Sequence, residues 1–338
     1  MQLPAHTDTS GGFRRSGISA FRLINDELCR VKESIAEQLV PPGQDESINR
    51  LVVYLNSCAG KMIRPGLVLL AGKAVGQITD EHIHVAAILE LIHNATLLHD
   101  DVIDDGQKRR GVPTVNTLWG NEAAVLLGDF LLSRVFKMCA DLRPQVTKII
   151  AATAARICEG ELRQIVQKQN WQLSESEYID IITEKSAALF SSCCHLGGLL
   201  AGASEVQIRS LSDFGLNTGI AFQITDDLLD IIGDEGKTGK TLGSDVDKNK
   251  LTLAVIRLFD AVDEREKRNL RSKLNAWGEN KKLLVEVLRS HGSLEYAHSR
   301  AREFATKAVG SLANLKESDA KDALIEIAGF VADRAVIS

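Results

Sequence analysis

The sequence predicts an all-α protein built as one large domain, and three observations carry that expectation. Only six prolines interrupt 338 residues, at positions 4, 41, 42, 65, 113 and 144. Aromatic residues are 5% of the chain, so strand-forming segments are scarce and long helices are favoured. Apolar residues recur at helical spacing, and 44% hydrophobic content supplies ample material for a large core. Length alone would allow two domains. The scarcity of chain breakers favours one, over residues 18–338, behind an N-terminal arm.

The elements follow in order. Residues 1–17 are polar and rich in Gly and Ser, which predicts a mobile arm with no secretion signal. Phe21, Ile24, Leu28, Val31, Ile35 and Leu39 mark a first amphipathic helix, ended by Pro41 and Pro42. A second helix starts near Ser47, and Pro65 suits the first turn of a third. Between them Gly60, Lys61 and Arg64 place two cations on a flexible backbone at a helix start. That is an anion site or an ordinary basic loop. Val85, Ile88, Leu89, Ile92 and Ala95 mark a buried helix, read as continuing through Asp105. Gly106, Gly111 and Pro113 mark a loop, and a helix with Leu126, Leu127, Phe130 and Leu131 follows Gly120. Further helices span about 145–168 and 176–203, the second carrying Lys185 among apolar residues, where its ammonium needs an anion or water. His195, deeper in that run, reads as a satisfied core histidine. Leu294, Ala297, Ala301, Phe304, Ala308, Leu312 and Leu315 form a core stripe in the last hundred residues.

Charge and composition exclude several classes. A net charge of -5 leaves no basic stripe for nucleic acid. No run of eighteen uncharged apolar residues occurs, so no transmembrane segment is expected. The six cysteines, at 29, 58, 139, 158, 193 and 194, include no CxxC pair and read as reduced, buried small hydrophobes of a cytoplasmic protein.

The chemistry concentrates in two acidic stretches. Leu97–Gly111 reads LLHDDVIDDGQKRRG, four carboxylates in six positions followed by Lys108, Arg109 and Arg110. On a continuous helix Asp100 and Asp104 share one face, and Asp101 and Asp105 the adjoining one. Like charges so spaced repel, and more strongly when shielded from water. One copy fits either a solvated helix end or a divalent cation site. Gly219–Asp234, GIAFQITDDLLDIIGD, repeats the spacing with Asp226, Asp227 and Asp230. Two copies on apolar helices favour a hard cation, since Mg²⁺ takes oxygen ligands from a few carboxylates, waters and substrate phosphates. Arg109 and Arg110 suit ion pairing with Asp104 or Asp105, or bidentate phosphate contacts. The stretch GDEGKTGKTLGSDVDKNK is no P-loop, because the required first glycine is Asp234. It reads as a flexible lid carrying Lys237, Lys240 and Lys250 over the second acidic cluster.

Taken together, the two DDxxD helices, GKxxR, RRG, Lys185-Ser186 and the Phe222-Gln223 pair resemble the trans-isoprenyl diphosphate synthases over roughly residues 20–255. The resemblance implies a helical barrel around a deep apolar cavity with both acidic motifs at its mouth. It implies three Mg²⁺ ions, with Asp100, Asp104 and Asp226 as direct ligands and Asp101, Asp227 and Asp230 acting directly or through water. It further implies that Arg109, Lys185 and Lys240 hold an allylic diphosphate, with Phe222 and Lys250 also at the substrates. Gly60, Lys61, Arg64, His93 and Arg110 would bind isopentenyl diphosphate. Oxygens of Ser186 and Gln223 would steady the allylic cation, and the family precedent is a homodimer.

Departures accompany the likeness. The usual GGKRxRP is AGKMIRP, with Ala59 and Met62 in place of Gly and Arg, and the usual Lys-Thr is Lys185-Ser186. The chain ends DRAVIS, without the basic tail of some short-chain members. Ala95 and Thr96 lie about one turn below Asp100, with no aromatic plug, which predicts a long product of roughly C30 to C50. The rival readings are a C15 or C20 synthase, a class I terpene cyclase, whose second metal site usually carries Asn and Ser or Thr, and a non-catalytic subunit, which tends to lose an acidic motif.

Overall fold

The computed structural model describes residues 19–39, 46–57, 60–233, 250–274 and 281–335. The expected N-terminal arm, Ala59, and the lid residues Lys237 and Lys240 lie outside these residues. Among the described residues the architecture is helical, with one two-stranded hairpin.

A 3₁₀ turn, Ser19–Ile24, leads into α1 (Asn25–Gln38), so the predicted first helix is two pieces. Its six apolar positions are all buried. Then come α2 (Glu46–Ser57), α3 (Ile63–Val75) and α4 (Asp80–Ile103). Strands β1 (Lys108–Arg109) and β2 (Val112–Pro113) pair antiparallel, with Arg110 and Gly111 at positive φ in the turn. Next are α5 (Val115–Trp119), α6 (Asn121–Cys139), α7 (Pro144–Val166), α8 (Glu175–Ile182), α9 (Ala188–Leu200) and α10 (Glu205–Ile232). The C-terminal part adds α11 (Leu253–Ala261), α12 (Glu264–Leu274), α13 (Lys281–Ser290), α14 (Ser293–Ser311) and α15 (Asp319–Ala332).

The middle of the fold is α3, α4, α9 and α10. From Val85 to Ile92 every residue of α4 is buried, because α1, α3, α6 and α9 pack around it. Helix α10 packs between α9 and α14. The core stripe from Leu294 to Leu315 is buried as expected, and His195 bonds Ser212 through Nδ1 at 3.0 Å.

Three expectations need correction. Helix α4 stops at Ile103: Asp104 is its C-cap and Asp105 turns to φ 41°. Carboxylates at a helix C-terminus oppose the macrodipole, and Asp tolerates the left-handed region, so the chain leaves the helix there. The predicted 176–203 helix is interrupted by a π-turn, Thr183–Ala187. Of the five described cysteines, all free, only Cys193 and Cys194 are buried; Cys29 and Cys158 sit on exposed helix faces.

Candidate active site

The end of α4 and the hairpin after it build one wall. Asp101, 7% exposed, points into the protein and takes a bidentate pair from Arg109, Nη2 to Oδ1 at 2.7 Å and Nε to Oδ2 at 3.1 Å. The arginine's partner is therefore Asp101 rather than Asp104 or Asp105. Burial penalises the Arg109 guanidinium, but Asp101, Asp100 and Asp226 outweigh it and raise its pKa. One guanidinium thus lies in the field of both acidic motifs. Asn116 Nδ2 bonds the carbonyls of Asp101 and Gly106 at 3.1 and 3.2 Å, tying the turn to α5.

Asp100 and Asp104 remain partly exposed. Burial pushes the Asp100 carboxyl up to about 6, while Lys185 and Arg109 pull it back and Glu161 and Asp104 push it further. Lys250 Nζ donates to Asp104 Oδ2 at 2.7 Å. Lys250, expected over the second cluster, thus reaches the first. Lys240 lies outside the described residues.

The opposite wall is the π-turn and α10. A π-turn widens a helix by one residue and re-aims its side chains. Here it carries Lys185 and Ser186. A Cβ on Gly160 of α7 would collide with the Lys185 backbone nitrogen and stand 2.8 Å from Lys185 Cα, so glycine permits α7 to press against this turn. The expected anion for Lys185 is Glu161, whose Oε2 lies 2.5 Å from Nζ; Gln164 Oε1 accepts at 2.7 Å. Burial is outweighed by Asp100, Glu161 and Asp104, and the lysine's pKa is raised. On α10, Gly219, Gln223 and Asp227 recur every fourth residue on one face. A Cβ on Gly219 would stand 2.6 Å from Ala187 Cα. That close approach lets Ser186 Oγ donate to Gln223 Oε1 at 2.6 Å, while Gln223 Nε2 donates to Asp227 Oδ1 at 2.7 Å and Tyr178 Oη to Asp227 Oδ2 at 2.6 Å. Asp226 and Asp230 stay partly exposed, one turn apart.

A group of cations borders both walls. Partial desolvation and the like charges of Arg334 and Arg110 lower the Lys61 pKa. A Cβ on Gly60 would overlap the Arg110 guanidinium, so that glycine admits the arginine. Arg64 stacks its Cζ 4.9 Å from the Phe190 ring centroid, beside buried Glu90. His93 lies two turns before Asp100 on α4 and accepts Thr96 Oγ1 at its carbonyl, 2.8 Å. Met62 is buried, 4% exposed, so it packs where a cation would reach out. Near the chain end Arg334 reaches the site: its Nη2 lies 3.7 Å from Asp226 and its Cζ 4.8 Å from the Phe222 centroid.

A cavity of about 280 Å³ is lined by Ile35, Leu39, Leu55, Leu91 and Leu98, with Glu90, Asp101, Arg109 and Arg110 at its polar end. Ala95 and Thr96 do not border it. Ala95 is fully buried and Thr96 partly exposed.

Sequence reasoning missed Tyr178, Glu161, Gln164 and Arg334. The signals were faint: an isolated tyrosine, two polar residues within the helix expected over about 145–168, and one arginine near the chain end.

The acidic residues offer only oxygen donors, which fits a hard divalent cation. Among the described residues no three of them form a ready-made cage. That is also what Mg²⁺ accepts when substrate phosphates complete its shell. Asp101, Asp104 and Asp226 are meanwhile neutralised by Arg109, Lys250 and Arg334.

Comparisons with known proteins give one answer. The polyprenyl synthetase family model matches residues 45–290. The chain is 36% identical to the octaprenyl diphosphate synthase of Escherichia coli, over 92% of this chain and 97% of the relative. It is also 36% identical to a short-chain isoprenyl diphosphate synthase of Methanothermobacter thermautotrophicus, over 90% and 94%. The fold matches a decaprenyl diphosphate synthase from Rhodobacter capsulatus with TM-score 0.86 and 35% identity, covering 94% of this chain and 99% of that one. A Caulobacter crescentus polyprenyl synthase, solved with calcium and isoprenyl diphosphate, matches at 0.89 and 31%, covering 95% and 98%.

Proposed function

This chain belongs to the polyprenyl synthetase family, the trans-isoprenyl diphosphate synthases, and is a prenyltransferase; from that premise we propose that it condenses isopentenyl diphosphate with an allylic diphosphate into a long all-trans polyprenyl diphosphate. The observation that carries this reading is Arg109, clamped on Asp101 and held in the field of Asp100 and Asp226. A diphosphate entering between the motifs would meet that guanidinium, Lys185 and the four partly exposed carboxylates that would hold Mg²⁺.

Bound metal, three ions in this reading, supplies Lewis-acid charge to the leaving diphosphate. Asp100, Asp104, Asp226 and Asp230 would hold it, with Asp101 and Asp227 supporting them from inside. Arg109 and Lys185, with Lys240 in the lid, orient the allylic diphosphate. Their charge is worth most as the carbon–oxygen bond breaks and negative charge grows on the leaving group. Lys61, Arg64, Arg110 and His93 hold the isopentenyl diphosphate at the backbone of Gly60. Arg334 joins them, beside Phe222. Ser186 and Gln223 offer oxygens to the allylic cation without a nucleophile strong enough to capture it. The released diphosphate then takes the proton, so no side-chain base is needed.

Ala95 and Thr96 support a product of roughly C30 to C50, since no aromatic ring stands one turn below Asp100. The similar proteins include both short- and long-chain synthases, which keeps a C15 or C20 product as the rival. A dimer is supported by exposed Val125, Leu126 and Phe136 on α6 and by exposed Leu162 and Val166 on α7. We read residues 18–338 as one synthase domain. The free cysteines support a cytoplasmic setting, and no helix among the described residues is long and apolar enough to cross a membrane.

The experiment is a condensation assay with labelled isopentenyl diphosphate, Mg²⁺ and C5, C10 or C15 primers, with products sized after dephosphorylation. Long products from the purified chain alone are expected. No incorporation would refute the activity, and a ladder ending at C20 would refute the long product.

A further inference from the structure

Each acidic motif divides its labour in the same way. Its outer aspartates are partly exposed and its middle aspartate is turned inward: Asp101 at 7% onto Arg109, Asp227 at 8% onto Tyr178 and Gln223. The second inward carboxylate does more than brace the helix.

Proton order can be worked out along its hydrogen bonds. An ionised carboxylate only accepts, so Asp227 takes the Tyr178 hydroxyl proton on Oδ2 and the Gln223 amide N–H on Oδ1. That fixes the amide's orientation, since the flipped amide would set its oxygen against a carboxylate oxygen. The amide oxygen is then left to accept, and Ser186 has a single proton to give it, at 2.6 Å. With that proton committed, Ser186 Oγ has lone pairs alone to offer to anything else. A hydroxyl free to rotate would have to be turned by the developing charge itself, whereas one whose proton is already committed is preorganised for it. Three elements meet to set this order: α8 gives Tyr178, the π-turn gives Ser186 and α10 gives Gln223 and Asp227.

We propose that Tyr178 and Asp227 are positioning residues which, through Gln223, lock the Ser186 hydroxyl as an acceptor facing the positive charge that develops on the allylic carbon. This rests on the prenyl transfer reading above and deepens it. It also separates Asp227 from Asp226 and Asp230: its role is orientation rather than metal binding.

The test is a mutant cycle in the full chain with Mg²⁺. Tyr178→Phe keeps the ring and deletes one donor. It is expected to lower kcat about tenfold, the scale of one hydrogen bond to a charged group, with KM for both substrates within about twofold of wild type. Ser186→Ala is expected to lose a similar factor, and the double variant no more than Ser186→Ala alone, because both act through one oxygen. Asp227→Asn, which frees the amide to flip, is expected to show the same coupling and to leave the Mg²⁺ half-saturation unchanged, whereas Asp226→Asn raises it. Multiplicative losses in the double variants would overturn the proposal, as would an Asp227→Asn enzyme that needs as much extra Mg²⁺ as Asp226→Asn. If Tyr178→Phe folds poorly, the Asp227→Asn cycle measures the same coupling and decides the question by itself. A wild-type chain that makes no product would instead sink the prenyl transfer reading.

Discussion

Lys250 Nζ donates to Asp104 Oδ2 at 2.7 Å, joining parts of the chain 146 residues apart. The lysine side chain is only 7% exposed and the aspartate 23%, so the pair is largely withdrawn from water. Removing one partner of such a pair strands the other's charge. Lys250→Met is expected to cost the metal-free protein on the order of 2 kcal/mol in denaturant unfolding, less than a fully buried pair would lose. Mg²⁺ with diphosphate is expected to narrow the difference, because it supplies Asp104 with another cation. Equal unfolding midpoints in metal-free buffer would contradict this.

Asp100 gives a pH dependence. Burial lifts its folded pKa to about 6, above the ordinary 3.8. A carboxyl whose folded pKa is raised holds its proton more tightly when folded. Its contribution to stability therefore grows as pH falls through 6 and is lost above it. Mg²⁺ competes with that proton, so weaker Mg²⁺ binding is expected below pH 6. Lys185→Met removes a cation that lowers this pKa, and is expected to move the weakening to higher pH. Calorimetric Mg²⁺ titrations in the presence of diphosphate on both sides of pH 6 would read both effects.

Gly160 is a steric requirement. An added methyl would meet the backbone of Glu184 and Lys185, which no rotamer change relieves. Gly160→Ala is expected to destabilise by about 1–3 kcal/mol, as overpacking does. With Lys185 displaced by even about 1 Å, kcat/KM is expected to fall on the order of 100-fold. Thermal unfolding and steady-state kinetics check the two parts.

The proposed long product makes Ala95 and Thr96 the positions to test, although neither borders the cavity of about 280 Å³. Thr96 is partly exposed and has room to change, so Thr96→Phe is expected to shorten the product with little loss of stability. Ala95 is fully buried. Ala95→Phe is expected to shorten the product too, at an overpacking cost of about 1–3 kcal/mol. Product chromatography from both variants reads the outcome; unchanged lengths would show that these positions do not limit the product.

The exposed apolar residues of α6 predict an assembly. Phe136 is 72% exposed and Leu126 66%. Leu126→Glu combined with Phe136→Glu is expected to convert a dimer into a monomer by light scattering, with no loss of helical content.

The acidic motifs, the GKxxR group and the Lys185-Ser186 pair were readable because they are local: each depends on residues within a turn or two, where helical spacing sets which side chains share a face. Apolar periodicity likewise placed α4 and the stripe from Leu294 to Leu315. Less was legible where a choice depended on a distant partner. Nothing near Asp101 and Asp227 in the chain distinguishes them from their neighbours as the inward members of each motif. That follows from Arg109 folding back on a hairpin and from Tyr178 arriving on another helix. The π-turn is equally silent in the sequence, since Thr183–Ala187 suits an α-helix; the packing of Gly160 and Gly219 against it goes with the widened turn. By itself the sequence determined the helices, the charges they carry and the family. Tertiary structure alone decided which charge neutralises which, because in a buried site a carboxylate's role is set by whichever donor reaches it across the fold.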